Sequence, residues 1–225
     1  MTRFLLAAAL VCALPAAVAG QPYLAAAQVD LARLLPPPPI DVGPDMAVVL
    51  EAQRTRTPER VAQADADGKE GIFDMFAPVL GPRFVPANLP VLTRVFDRLG
   101  DTEETVSAPA KEGFARKRPF MVDPDMHPAI RLSRSGSYPS GHATRVTMDG
   151  IVLAAMLPEQ RRVIFARMAD YAQSRVIGGV HFPSDIEAGK RAGTAIAAVL
   201  FNDPRFAPDF AAARQELRTV MGLPN

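Results

Sequence analysis

The chain has 225 residues, 48% of them hydrophobic and 22% charged, which excludes an intrinsically disordered protein and suits one domain with a real core. Its 25 basic residues nearly match its 24 acidic ones, so it carries no electrostatic footprint for nucleic acid or an anionic membrane. The longest later apolar runs, 151–157 and 195–201, fall far short of the ~18 residues that a membrane span needs.

In chain order, the first feature is Arg3, then a mostly apolar stretch from Phe4 to Leu14, then Ala17-Val18-Ala19. A charged start, an apolar run and a small-x-small site predict a secretory signal peptide over residues 1–19. Cleavage after Ala19 leaves 206 residues, in which 24 basic side chains balance 24 acidic ones. Cys12, the only cysteine, leaves with that segment, so the mature chain offers neither a disulfide nor a thiolate. Val11 before it is bulkier than a lipid-attachment site prefers. These features predict a soluble, periplasmic protein.

Residues 20–44 read as an N-terminal arm whose proline run, Pro36–Pro39, forms an extended strap over the domain. Residues 45–225 read as one all-α domain, since strand signals are nearly absent. The first helix spans Met46 to Arg54. Thr57 as N-cap and Pro58 at the first helical position start a second, which ends near Asp67. Residues 69–86, punctuated by glycine and proline, read as a loop; its Phe73, Phe76 and Phe84 either wall a substrate entrance or pack into the core. Leu89, Val91, Leu92, Val95, Phe96 and Leu99 make a helical stripe over 88–105. Further helices are expected at 141–156, at 158–176 before Gly178-Gly179, at 185–201 with Ser184 as cap, and at 207–221.

Three segments carry chemistry. The first is Lys111, six residues, then Arg118-Pro119. Arg116 and Lys117 make this a basic run, ordinarily a solvated face, but an arginine fixed before a stiff turn can present a planar fork to phosphate oxygens. The second is Pro139-Ser140-Gly141-His142, a turn entering a helix. Backbone N–H groups at Ser140, Gly141 and His142 would point outward there, and a helix N-terminus binds anions. A plain cap with a surface histidine would have the same sequence. The third is Ser174-Arg175, five residues, His181, three residues, Asp185. A carboxylate four residues from an imidazole can accept one ring N–H and leave the other nitrogen as a nucleophile or base; a structural His–Asp bond would have the same spacing.

Two imidazoles, three cations (Lys111, Arg118, Arg175) and a helix N-terminus together form a phosphoryl-transfer kit. One imidazole attacks phosphorus, the other protonates the leaving oxygen, and the cations absorb charge. The cations would repel a dication, and the mature chain has neither His-x-x-x-His nor cysteine, so no metal is expected.

In combination, Lys-x6-Arg-Pro, Pro-Ser-Gly-His and Ser-Arg-x5-His-x3-Asp resemble the three-part signature of the type 2 phosphatidic acid phosphatase superfamily. Gly136-Ser137-Tyr138-Pro139-Ser140-Gly141-His142, the leucine-polyproline run at 34–39 and Arg56-Thr57-Pro58-Glu59-Arg60 resemble its secreted bacterial class A non-specific acid phosphatases. The resemblance implies an all-α bundle that hydrolyses small phosphate monoesters through a phosphohistidine, with phosphoryl transfer to alcohols as a side reaction. It implies His181 as nucleophile, Asp185 as its orienting partner and His142 as general acid and base. Lys111, Arg118, Ser140, Gly141 and Arg175 would bind phosphate. No metal or cofactor is implied, and a homodimer or higher homo-oligomer is. Ala143, Gly178 and Phe182-Pro183 depart from the family pattern without touching these positions. His127 matches no motif and reads as a surface loop residue. The alternatives are a vanadate-dependent haloperoxidase, whose chains are usually much longer, and an inactive phosphate-binding protein, which two intact histidines disfavour. A membrane lipid phosphatase would need several spans.

Overall fold

A computed structural model describes residues 21–224; the expected signal peptide, with Cys12, lies outside the described residues. Among the described residues ten α-helices follow in order: α1 Leu31–Leu34, α2 Gly43–Thr55, α3 Pro58–Ala66, α4 Ile72–Leu80, α5 Pro90–Phe114, α6 Pro119–Val122, α7 Gly141–Met156, α8 Arg161–Ile177, α9 Pro183–Leu200 and α10 Phe206–Met221. Among the described residues no strand forms, and no helix is long and apolar enough to cross a membrane.

The middle of the bundle is α7, packed against α5, α8, α9 and α10. It is buried around nearly its whole circumference, from Gly141 and Ala143 to Met156. That explains its weak amphipathicity, because a helix enclosed on all sides needs no polar face. Its closest neighbour is α9, and glycine sets the approach. A Cβ on Gly189 would lie 2.6 Å from the Ser140 carbonyl oxygen, and one on Gly193 would lie 2.4 Å from that of Thr144. Residues 140 and 144 therefore face 189 and 193 in the same direction, so α7 and α9 run parallel. Both begin at the same end of the bundle, and the positive ends of both helix dipoles meet there. The C-terminal end of α8 comes back to this end as well.

The N-terminal arm packs on the bundle through side chains. Tyr23 and Leu24 are fully buried, and the Tyr23 hydroxyl donates to Asp209 Oδ2 at 2.7 Å. The proline run is held by Tyr138, whose hydroxyl donates to the Pro36 carbonyl at 2.6 Å.

Three expectations need correction. Residues 69–86 are not a loop throughout, because α4 lies inside them. Ile72, Met75, Phe76 and Leu80 recur at helical spacing and are buried, which outweighs the interruption at Pro78. Phe76 and Phe84 are fully buried, so this aromatic set belongs to the core. The stripe over 88–105 continues to Phe114, since Val106, Ser107 and Ala110 extend the buried face past Pro109, whose missing N–H costs one bond. Ser184 does not cap α9. Pro183 takes the first helical position, and Asp185 reaches back to accept the Phe182 N–H at 2.8 Å. Ser184 instead donates its hydroxyl to Asp45.

Candidate active site

Where α7 and α9 begin and α8 ends, a cleft of about 930 Å³ opens; its lining includes Lys111, Arg118, Gly141, His142, Arg175 and His181. These come from the C-terminal part of α5, the residue before α6, the first turn of α7, the last turn of α8 and the α8–α9 turn. Six of the eight residues picked out by the three motifs thus share one cavity, and Asp185 and Ser140 are buried beside it.

His181 is 3% exposed and Asp185 is fully buried. Asp185 Oδ2 accepts from His181 Nδ1 at 3.3 Å, from the Ser137 hydroxyl at 2.5 Å and from the Phe182 N–H at 2.8 Å. Its Oδ1 accepts from Arg116 Nη1 at 2.6 Å. Burial alone would raise the Asp185 carboxyl, but the contacts with His181, Ser137 and Arg116 outweigh it and hold the group below its ordinary value. For His181 the balance is reversed. Burial, helped by the charge on Arg118, draws the imidazole down to about 3 against the pull of Asp185. Above that value the ring is neutral, and with its Nδ1–H donating to Asp185 the lone pair sits on Nε2.

Arg118 lies at that lone pair, with Nη1 3.1 Å from His181 Nε2. Its fork is held by the carbonyl oxygens of Val180 at 2.8 Å and Ser135 at 3.0 Å. Burial lowers Arg118 to about 10, which leaves it charged at any working pH. Arg175 is also buried, its Nε has no partner among the described residues, and its Nη1 has only long contacts to the carbonyls of Ala64 and Asp67. Lys111 comes so close to the start of α7 that a Cβ on Gly141 would lie 2.5 Å from its Nζ. A side chain at 141 would displace that ammonium, so glycine lets Lys111 lie against the helix start.

The anion-facing backbone is narrower than its sequence suggests. The Ser140 N–H donates to the Asp185 carbonyl at 3.1 Å, and the Ser140 hydroxyl accepts the Ala143 N–H at 3.4 Å, so Ser140 ties α7 to α9 and caps α7. Among the described residues the N–H groups of Gly141 and His142 have no acceptor and remain available. His142 Nδ1 lies 2.8 Å from Glu70 Oε1, and Nε2 lies 3.2 Å from the Gly68 carbonyl. Only a ring with a proton on each nitrogen satisfies both contacts. Partial burial would raise Glu70, but the His142 contact outweighs it and lowers the carboxyl. His127 is exposed and outside the cleft.

Sequence reasoning missed Glu70 and Arg116. Ala115 ends α5 in the left-handed conformation, with φ of 46°, and the chain then extends to Arg118. In extended backbone alternate side chains share a face, so Arg116 and Arg118 turn inward while Lys117 stays exposed. The basic run is therefore not one solvated face. Arg116 joins Asp185 to Asp45, with Nη2 2.9 Å from Asp45 Oδ2. Arg116→Ala would leave a buried carboxylate without its cation, which typically costs about 3–5 kcal/mol. A urea unfolding midpoint that falls accordingly is the expected result; a loss under about 1 kcal/mol would show that Asp185 does not depend on Arg116.

Among the described residues no group of three or more His, Cys, Asp or Glu side chains gathers as metal ligands would. The PAP2 superfamily pattern matches residues 102–208. A non-specific acid phosphatase of Providencia stuartii is 31% identical over 201 residues, covering 84% of this chain and 81% of that protein. Another, of Salmonella typhi, is 33% identical over 205 residues, 84% of this chain and 80% of its own. Among solved structures, a transmembrane PAP2-type phosphatidylglycerolphosphate phosphatase from Bacillus subtilis aligns with a TM-score of 0.54 at 21% identity, over 77% of this chain and 90% of the other. A bacterial vanadium-dependent iodoperoxidase aligns with a TM-score of 0.52 at 17% identity, over 77% of this chain and 53% of its own. At such identities the likeness is one of fold. The long, high-coverage matches to the bacterial enzymes, together with the superfamily pattern across the cleft, place this chain in the PAP2 superfamily beside the bacterial non-specific acid phosphatases.

Proposed function

We propose that this protein is a periplasmic acid phosphatase that hydrolyses small phosphate monoesters through a phosphohistidine on His181 and passes the phosphoryl group to alcohols when they are abundant. The observation that carries this reading is a buried imidazole, fixed through Nδ1 by Asp185, with its Nε2 beside Arg118 in a cleft also lined by Lys111 and Arg175.

In the first step the Nε2 lone pair attacks phosphorus as the P–O bond to the leaving group breaks. His142 gives that oxygen its proton. Lys111, Arg118, Arg175 and the N–H groups of Gly141 and His142 hold the equatorial oxygens, where charge is spread in the transition state. In the second step His142, now a base, takes a proton from water or an alcohol. The new oxygen attacks phosphorus, the P–N bond breaks, and its electron pair returns to Nε2. The low proton affinity of His181 supports work in acid, because the nucleophile becomes protonated only as pH falls towards about 3.

Release of phosphate from a chromogenic aryl monoester near pH 5 tests the reading. Activity should persist in EDTA, orthovanadate should inhibit competitively as a five-coordinate mimic, and halide oxidation in the presence of vanadate and peroxide should be absent. Loss of activity in EDTA with recovery on adding a divalent metal would contradict the metal-free mechanism.

A further inference from the structure

On the cleft-facing side of α5, two turns before Lys111, lies a carboxyl group that none of these steps uses. Glu103 is buried in the cleft wall, and its Oε1 is shielded from water without a hydrogen-bond partner among the described residues. One turn on, Ser107 Oγ is buried and unpartnered too. Residues 103, 107 and 111 follow at four-residue spacing, so they share one face of the helix. That face meets the start of α7. A Cβ on Gly141 would lie 2.5 Å from Lys111 Nζ and 3.8 Å from Glu103 Oε1. The ammonium and the carboxyl thus converge on the anion-binding end of α7.

A carboxylate there would repel a phosphate dianion, and left unpaired it would carry a large desolvation cost. A neutral carboxylic acid has neither defect, since its O–H is a donor that a phosphoryl oxygen can accept. We propose that Glu103 belongs to the phosphate cradle as a protonated acid that donates a hydrogen bond to a phosphoryl oxygen, and that loss of this proton closes the site to phosphate as pH rises. The inference rests on the phosphatase reading and adds to it an alkaline limit.

The surrounding charges agree. On its own helix the charge that acts on it most is Lys111, from α7 comes Arg145, and Glu70 precedes α4, while His142 lines the same cleft. Asp97, Asp101, Glu104 and Glu112 line the cleft further along α5. Arg145 is committed elsewhere, with Nε 2.6 Å from Asp149 Oδ2 and Nη2 donating to the Phe96 carbonyl at 2.6 Å. Burial prevails over the pull of Lys111 and of the neighbouring Ser107 hydroxyl, and pushes Glu103 up to about 7. Below that value the acid is a donor; above it the site carries one more negative charge.

The test is competitive inhibition by inorganic phosphate between pH 5 and 8.5, in wild type, Glu103→Gln and Glu103→Ala. Glutamine keeps a donor that cannot titrate; alanine leaves no polar atom to bury and serves where the amide does not fold. The ionisation of phosphate and of the histidines is common to all three and cancels in the ratios. Relative to its own value at pH 5, wild-type affinity should fall about 30-fold more than that of either variant by pH 8.5, the factor for 1.5 pH units above a single titration. Parallel curves in active proteins overturn the role of Glu103 and leave the phosphatase reading intact. Parallel curves are also the outcome if Glu103 is only structural or bonds the leaving group, which inorganic phosphate lacks. A wild type that neither hydrolyses the aryl ester nor binds phosphate overturns both.

Discussion

His181→Ala should lower kcat for aryl phosphate hydrolysis by about 10⁴-fold or more while leaving the fold in place. Loss of a nucleophile removes the pathway and not just a contact, which is why no larger effect is expected from any other single change. The fold should survive because Asp185 keeps its bonds to Arg116, Ser137 and the Phe182 N–H when the imidazole goes. The checks are steady-state kinetics beside a urea unfolding curve. Retained activity, or a variant that is inactive only because it is unfolded, would remove the support for His181 as nucleophile.

His142→Ala should show a loss that depends on the leaving group. A group that protonates the departing oxygen matters little for a good leaving group and much for a poor one. The deficit should approach the ~10²–10⁴-fold worth of general acid catalysis for alkyl phosphates and be far smaller for p-nitrophenyl phosphate. Glu70→Gln should follow the same trend more weakly, because Glu70 acts only by holding Nδ1, 2.8 Å away. An equal loss with aryl and alkyl esters would argue for phosphate binding by His142 in place of proton transfer.

The legible part of this molecule was its local part. Thr57-Pro58 announced the start of α3, and Thr57 does accept the Arg60 N–H at 3.3 Å. His181 and Asp185 are four residues apart in sequence and touch across one turn, so spacing alone was enough to pair them. The parallel approach of α7 and α9 was not legible. It is made by Gly189 and Gly193, which look like ordinary helix-weakening residues until the opposing backbone is seen. Nor was the source of the charges around the two histidines. Glu70 meets His142 across 72 positions and Arg116 meets Asp185 across 69, contacts that no periodicity encodes. Glu103 was hidden for another reason. On α5 it looks like one more carboxylate among Asp97, Asp101 and Glu104, and only burial separates it from them. Residues 69–86 read as a loop because glycine and proline punctuate and flank a nine-residue helix whose apolar face is core.

The central claim is that one covalent phosphoenzyme stands between every donor and every acceptor. The measurement that tests it most directly is the ratio of transferred to released phosphate at a fixed concentration of an alcohol acceptor, with two chemically different donors such as p-nitrophenyl phosphate and pyrophosphate. A common phosphohistidine on His181 has lost all memory of its donor, so the two ratios should agree and should rise together as the acceptor is increased. Ratios that differ clearly between the donors would mean that water and alcohol attack the donor itself, and the covalent mechanism would have to be abandoned.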